Sequence, residues 1–258
     1  MPIIIKSDWD SQAVLAVSKR MPAEKMRKWE TQAGKMFYKH RRATYHRYYI
    51  EKCYSFFINE MPTALGGPLP TEGANSSYVG PLAEVALFHL DGFFEAEKSA
   101  HDFVLSCLRT ADVLNASAPD SLHEYSKHPG NYHCDPVEAE RLLMSFWNKF
   151  GQPTKNYRDC FNHFVSLSGP TWQHEVNMRW RNGSWKAALY LPDNPEIKSY
   201  SKFTFGKYLD ALEICANIND NTKDFLRLLM KICSTKWNAS IENSEHFQFT
   251  IRSIKIDE

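Results

Sequence analysis

Between Pro22 and Pro62 the chain carries no proline and a single glycine, Gly34, and this constrains its fold more than any other feature. Proline removes a helical N–H and clashes with the preceding turn, so its absence over so long a stretch predicts one helix over about 21–60. A segment rich in Pro, Gly and Ser, MPTALGGPLPTEGANSSYVGP at 61–81, then ends it. Leu90, Phe93, Ala100, Val104, Cys107, Leu108 and Ala111 recur at three- and four-residue steps and predict a second helix over 82–114. Beyond a loop at 115–136, a third helix over 136–150 opens on Pro136 with acids just inside and closes at Gly151. A fourth, over 153–168, opens on Pro153 and stops at SGP. Four such helices have the rhythm of an antiparallel bundle.

The pattern changes after residue 170. HEVNMRW and WKAALYL flank Asn182-Gly183, the dipeptide most diagnostic of a tight hairpin. Residues 204–236 read as helix with a weak point at NINDN, and HFQFTIRSIKI at 246–256 alternates as a strand does. The expected fold class is mainly α, a helical bundle with a small α+β C-terminal unit of hairpin, helix and strand. Three segments follow: a basic N-terminal helical extension (1–60), the bundle core (61–169) and the C-terminal unit (170–258).

A 43% hydrophobic and 14% aromatic composition is enough for a real core. No apolar run reaches the roughly 18–20 residues of a membrane span, and MPIIIKSDWD lacks the basic start and long apolar run of a secretory signal. Six cysteines are scattered through mostly helix-like segments, which suits reduced, buried thiols and a cytoplasmic protein. His123, His128, His133 and Cys134 recur in a loop without the spacing of a metal site, and GGPLPTEG at 66–73 lacks the Gly-Lys-Ser/Thr ending of a phosphate loop. No metal and no cofactor are expected.

The net charge of +1 hides an asymmetry, because Lys19 to Lys52 holds eleven Lys and Arg against three acids. In KHRRATYHRYY these cations alternate with aromatics, so the segment suits tracking of phosphates with rings that stack or pack. The same pattern suits a solvated basic face whose aromatics belong to the core. Arg41, Arg42 and His46 are the candidate substrate contacts there.

The stretch NYRDCFNHF (156–164) gathers Arg158, Asp159, Asn162 and His163. At about 100° per residue, Tyr157, Phe161, Phe164 and Val165 share one face, and the four polar groups share the opposite arc. Asp159 and His163 stand four residues apart, close enough for a carboxylate to orient an imidazole. Arg158 lies about 140° from His163, so the two meet only if a second copy brings them together across a two-fold axis. Histidine can move a proton to or from a 2′-OH or leaving oxygen near neutral pH, and arginine can hold phosphate oxygens and offset their charge. The spacing alone is weak, because Arg-x4-His also occurs at Arg41/His46.

YRDCFNHF resembles the Arg-polar-x3-His signature of the HEPN superfamily, and LDGFFEAEKSAHDFVLSCLRTADVL resembles the long helix that precedes it there. The resemblance covers roughly 82–168. It implies a HEPN-like antiparallel helical bundle and a homodimer with a composite, metal-independent endoribonuclease site. In that site Arg158 engages the scissile phosphate, His163 is the acid/base, Asp159 orients it and Asn162 assists binding. Glu95, Glu97 and Lys98 of the preceding helix would line the same cleft. The resemblance implies RNA, a second copy of the chain, and an antitoxin or other regulatory protein as partners, in a toxin or phage-defence setting. Other family members lack activity and act as nucleic-acid- or nucleotide-binding or regulatory modules, which is the alternative reading.

Overall fold

The computed structural model describes residues 8–59, 80–160, 175–181, 184–190 and 208–240, and these are mainly helical. The helices are α1 (Asp8–Ser18), α2 (Ala23–Asn59), α3 (Gly80–Thr110), α4 (Leu122–Lys127), α5 (Glu138–Phe146), α6 (Gln152–Cys160) and α7 (Ala211–Lys236). A π-helical turn, Trp147–Gly151, joins α5 to α6. Strands β1 (Glu175–Arg181), β2 (Ser184–Tyr190) and β3 (Tyr208–Asp210) pair antiparallel in the order β1-β2-β3. Arg181 pairs with Ser184, and Asn182-Gly183, expected as the hairpin turn, lies outside the described residues. So do the segment 60–79, the end of the helix expected to reach 168, the loop at 191–207 and the strand expected at 246–256. No helix among the described residues is long and apolar enough to cross a membrane.

The described residues fall into two compact units that interleave along the sequence. One is drawn from residues 1–38, 99–151 and 222–258. Its core takes Ala13 and Val17 from α1 and Trp29, Ala33, Met36 and Phe37 from α2, the spacing of a helix face. Trp29 is fully buried and its indole donates to the Val14 carbonyl at 2.9 Å, so its one polar atom is satisfied. Phe146 of α5 stacks flat on Phe225 of α7, with centroids 3.8 Å apart.

Several boundaries differ from expectation for local reasons. Helix α3 stops at Thr110, four residues early, because Asp112 takes a left-handed φ of 56°. Val113 N–H then bonds the Leu108 carbonyl at 2.9 Å and Asp112 N–H that of Arg109 at 3.2 Å, a Schellman closure built on Asp where Gly is usual. Lys25 pairs with the Asp112 carboxylate. Within the expected loop 115–136, Ser121 caps α4 by accepting from Glu124 N–H at 3.1 Å. Gly151 does not end a helix; the chain runs through the π-turn into α6. A Cβ at Gly151 would lie 2.6 Å from Cε3 of the buried Trp147 ring, so glycine here admits the ring.

The second unit, residues 39–98 and 152–221, holds the sheet and a core of Ala43 and Ile50 from α2, Leu90, Phe93 and Phe94 from α3, Tyr157 from α6, and Ala211, Cys215 and Ile218 from α7. Helix α7 starts at Ala211, where the Asp210 carboxylate accepts from the N–H groups of Leu212 and Glu213, both at 3.1 Å. It runs unbroken through the expected weak point, where Asn219 is buried and its side chain is hydrogen-bonded, as described next.

Candidate functional site

Helix α6 carries the described part of the motif, residues 156–160. Its apolar side is anchored by Tyr157, which is buried and stacks on Phe94 of α3 at 4.7 Å and 15°. That contact brings the neighbouring Arg158 to the acids of α3. Arg158 Nε donates to Glu95 Oε2 at 2.6 Å and Nη1 to Asp159 Oδ1 at 3.2 Å. The other Asp159 oxygen accepts from Lys155, one turn back on α6. Burial works against the Arg158 charge, but Glu95 and then Asp159 more than restore it, so the guanidinium stays cationic with 29% of the side chain exposed. Asp159 is less open, at 15%. Asn162 and His163 lie outside the described residues, as do Phe161, Phe164 and Val165.

One turn before Glu95 on α3 stands Asp91. Its Oδ1 is buried and accepts no hydrogen bond among the described residues. Burial, and next the charge of Glu95, hold its carboxyl above the ordinary carboxylate range, while Arg158 pulls it back. The spacing Asp91/Glu95, two acids one turn apart on a helix of core residues, is the sequence signal for this acidic edge.

Glu97 does not join it. Two residues on a helix diverge by about 200°, so Glu97 points the opposite way from Glu95 and is fully buried. Its Oε1 accepts from Asn219 Nδ2 of α7 at 2.6 Å and lies 3.3 Å from His40 Nδ1 of α2. Thr44 donates to the Asn219 carbonyl oxygen at 3.2 Å. Three helices thus meet at one internal carboxylate.

On α2, Arg41 and Arg42 are exposed. His46 is not: it is 5% exposed, with Nδ1 at 3.0 Å from Nδ1 of His89 on α3. Gly92 makes room for it, since a Cβ there would stand 2.5–2.9 Å from three atoms of the imidazole. Burial first, then His89 and Arg42, lower its pKa to about 4, so it is uncharged at neutral pH and unlike a phosphate-binding cation. The reason lies in the helix itself, as Arg41 and His46 diverge by about 140°. Arg47 is drawn off to Glu51 and Asp220, each at 3.0 Å.

The cysteines Cys53, Cys107, Cys134, Cys215 and Cys233 are free thiols, all but Cys53 buried. Burial raises the pKa of Cys107 and Cys215 and takes Cys233 to about 12, so these three stay protonated. Cys134 bonds the Tyr125 hydroxyl at 3.6 Å. Among the described residues no three His, Cys, Asp or Glu side chains converge as metal ligands would.

No protein-family model, no curated protein and no solved structure matches the sequence.

Proposed function

We propose that the chain is a metal-independent endoribonuclease of HEPN type that cleaves RNA through attack of the 2′-OH, in a toxin, phage-defence or stress setting. The observation that carries this reading is the Arg158 guanidinium: permanently charged, part exposed, and held by Glu95 from the neighbouring helix. A guanidinium fixed in this way is preorganised to receive phosphate oxygens and offset charge in the transition state. His163 is the acid/base of the proposal. With Asp159 already shared between Arg158 and Lys155, its role extends to aligning the arginine as well as the histidine. A homodimer belongs to the proposal, because a helix continued over the expected 153–168 would turn Arg158 and His163 about 140° apart. The bundle is HEPN-like in this reading, with the C-terminal α+β unit appended to it.

Purified protein is expected to degrade bulk RNA or tRNA in EDTA and leave cyclic phosphate ends. His163→Ala should lower the rate about 10²–10⁴-fold and Arg158→Ala about 10²–10³-fold. The Arg158–Glu95 pair is solvent-exposed enough that its loss costs only about 0–1 kcal/mol, so the variant should remain folded by circular dichroism. Equal inactivity of wild type and both variants on every RNA tried would reject the enzyme. A second reading, a non-catalytic nucleic-acid- or nucleotide-binding or regulatory module, is favoured by one fact: two carboxylates already occupy Arg158, the arrangement of a structural ion pair.

A further inference from the structure

Exposed aromatic rings in the second unit form a continuous surface rather than isolated side chains. Tyr45 is 53% exposed, Tyr48 38% and Phe88 of α3 68%. Tyr45 packs on Tyr49 at 4.5 Å, Tyr48 on Tyr49 at 5.5 Å, and Phe88 edge-on to His89 at 5.4 Å. Beneath them Tyr49 stacks on His89 at 4.8 Å and 13°, so each exposed ring is braced from below by a half-buried one. The two histidines contribute as flat, uncharged rings, since burial lowers both pKa values.

The same face is cationic. Counting about 100° per residue, Arg41, Arg42, Tyr45, Tyr48, Tyr49 and Lys52 share one arc of roughly 120° on α2. Arg42 and Lys52 form no ion pair among the described residues, and Lys52 lies 5.1 Å over the Tyr48 ring. Glu51, the one acid between residues 39 and 52, is held by Arg47. Rings with unneutralised cations beside them match an alternation of bases and phosphates. A second copy of the chain laid on this face would set cation against cation.

We propose that this face binds single-stranded nucleic acid, with Tyr45, Tyr48 and Phe88 stacking on unpaired bases and Arg42 and Lys52 on phosphates. That the strand is RNA rests on the ribonuclease reading; the stacking surface itself does not. A duplex keeps its bases stacked on one another and offers these rings nothing.

The test is fluorescence anisotropy with a labelled 2′-O-methyl oligouridine, which carries phosphates and bases but no free 2′-OH, so binding is read without turnover. The single strand should bind at least about ten-fold tighter than a duplex of equal length. Tyr45→Ala and Phe88→Ala should each weaken it about ten-fold, with Tyr45→Phe and Phe88→Tyr retaining affinity. Arg42→Ala should reduce the slope of log affinity against log salt by about 0.7. Equal affinity for duplex and single strand, or alanine variants that bind as wild type, would overturn the proposal. So would sedimentation in which the alanine variants dissociate a dimer while oligonucleotide affinity is unchanged, which would make the face a protein interface. Failure of cleavage in EDTA with binding intact would remove the nuclease and leave the surface standing.

Discussion

Gly34 and Gly92 offer the same substitution with opposite outcomes. Both lie inside long helices, where alanine is favoured over glycine by about 0.5–1 kcal/mol because less backbone freedom is lost on folding. At Gly34 a new Cβ meets nothing within 4 Å, so Gly34→Ala should stabilise the protein by about that amount. At Gly92 the new Cβ falls 2.5–2.9 Å from His46 Cε1, Nε2 and Nδ1. The imidazole has little room to retreat, being bonded to His89 and faced edge-on by Tyr45 at 5.8 Å and Phe88 at 6.5 Å. Overpacking of this kind costs about 1–3 kcal/mol, which offsets the propensity gain and leaves a net loss of up to about 2 kcal/mol. For a chain of this size that lowers Tm by up to roughly 4 °C. Urea unfolding and thermal melts of both variants give the two signs directly. In a double-mutant cycle, His46→Ala should recover about 1 kcal/mol or more of the Gly92→Ala loss. A Gly92→Ala protein that melts at or above wild type would refute the close approach of α3 to His46.

Two further outcomes follow. Glu97→Ala leaves His40 and Asn219 facing a hole and should cost about 3–5 kcal/mol, while Glu97→Gln, which still accepts from Asn219, should cost less; urea midpoints that do not separate the two would deny the network its stabilising role. His46 titrates at about 4 when folded, below the ordinary 6.5, so the unfolded chain binds its proton first as pH falls. Stability should therefore decline between about pH 6.5 and 4, by up to roughly 3 kcal/mol at 1.36 kcal/mol per pKa unit, and His46→Gln should flatten that part of a pH series of urea midpoints.

Helices α2 and α3 were legible because their signals are long and redundant: no proline across the first, and apolar residues at helical steps along the second. Ends were harder. The stop at Asp112 depends on one residue turning left-handed without the glycine that usually announces it. α4 was hidden in a polar stretch, although Ser121 and Glu124 stand at capping-box spacing. Gly151 reads as a terminator until the Trp147 ring is seen lying against it. At the site, Arg158 and Asp159 are adjacent in sequence and stay so in space, but the Glu95 partner depends on how α6 packs on α3, which spacing does not encode. Grouping Glu95 with Glu97, and Arg41 with His46, treats nearness along a helix as a shared direction. The rotation per residue separates both pairs.

The carboxylate of Glu97 has a consequence for alignment. An apolar core tolerates sliding, since one aliphatic side chain replaces another at little cost. Glu97 tolerates none. A slip of α7 by a single turn would carry Asn219 about 5.4 Å away and strip a fully buried carboxyl group of the amide it accepts from. His40 and Asn219 therefore act as a key that sets where α2 and α7 stand along α3, so the residue that contributes least to the proposed chemistry holds the helices in register.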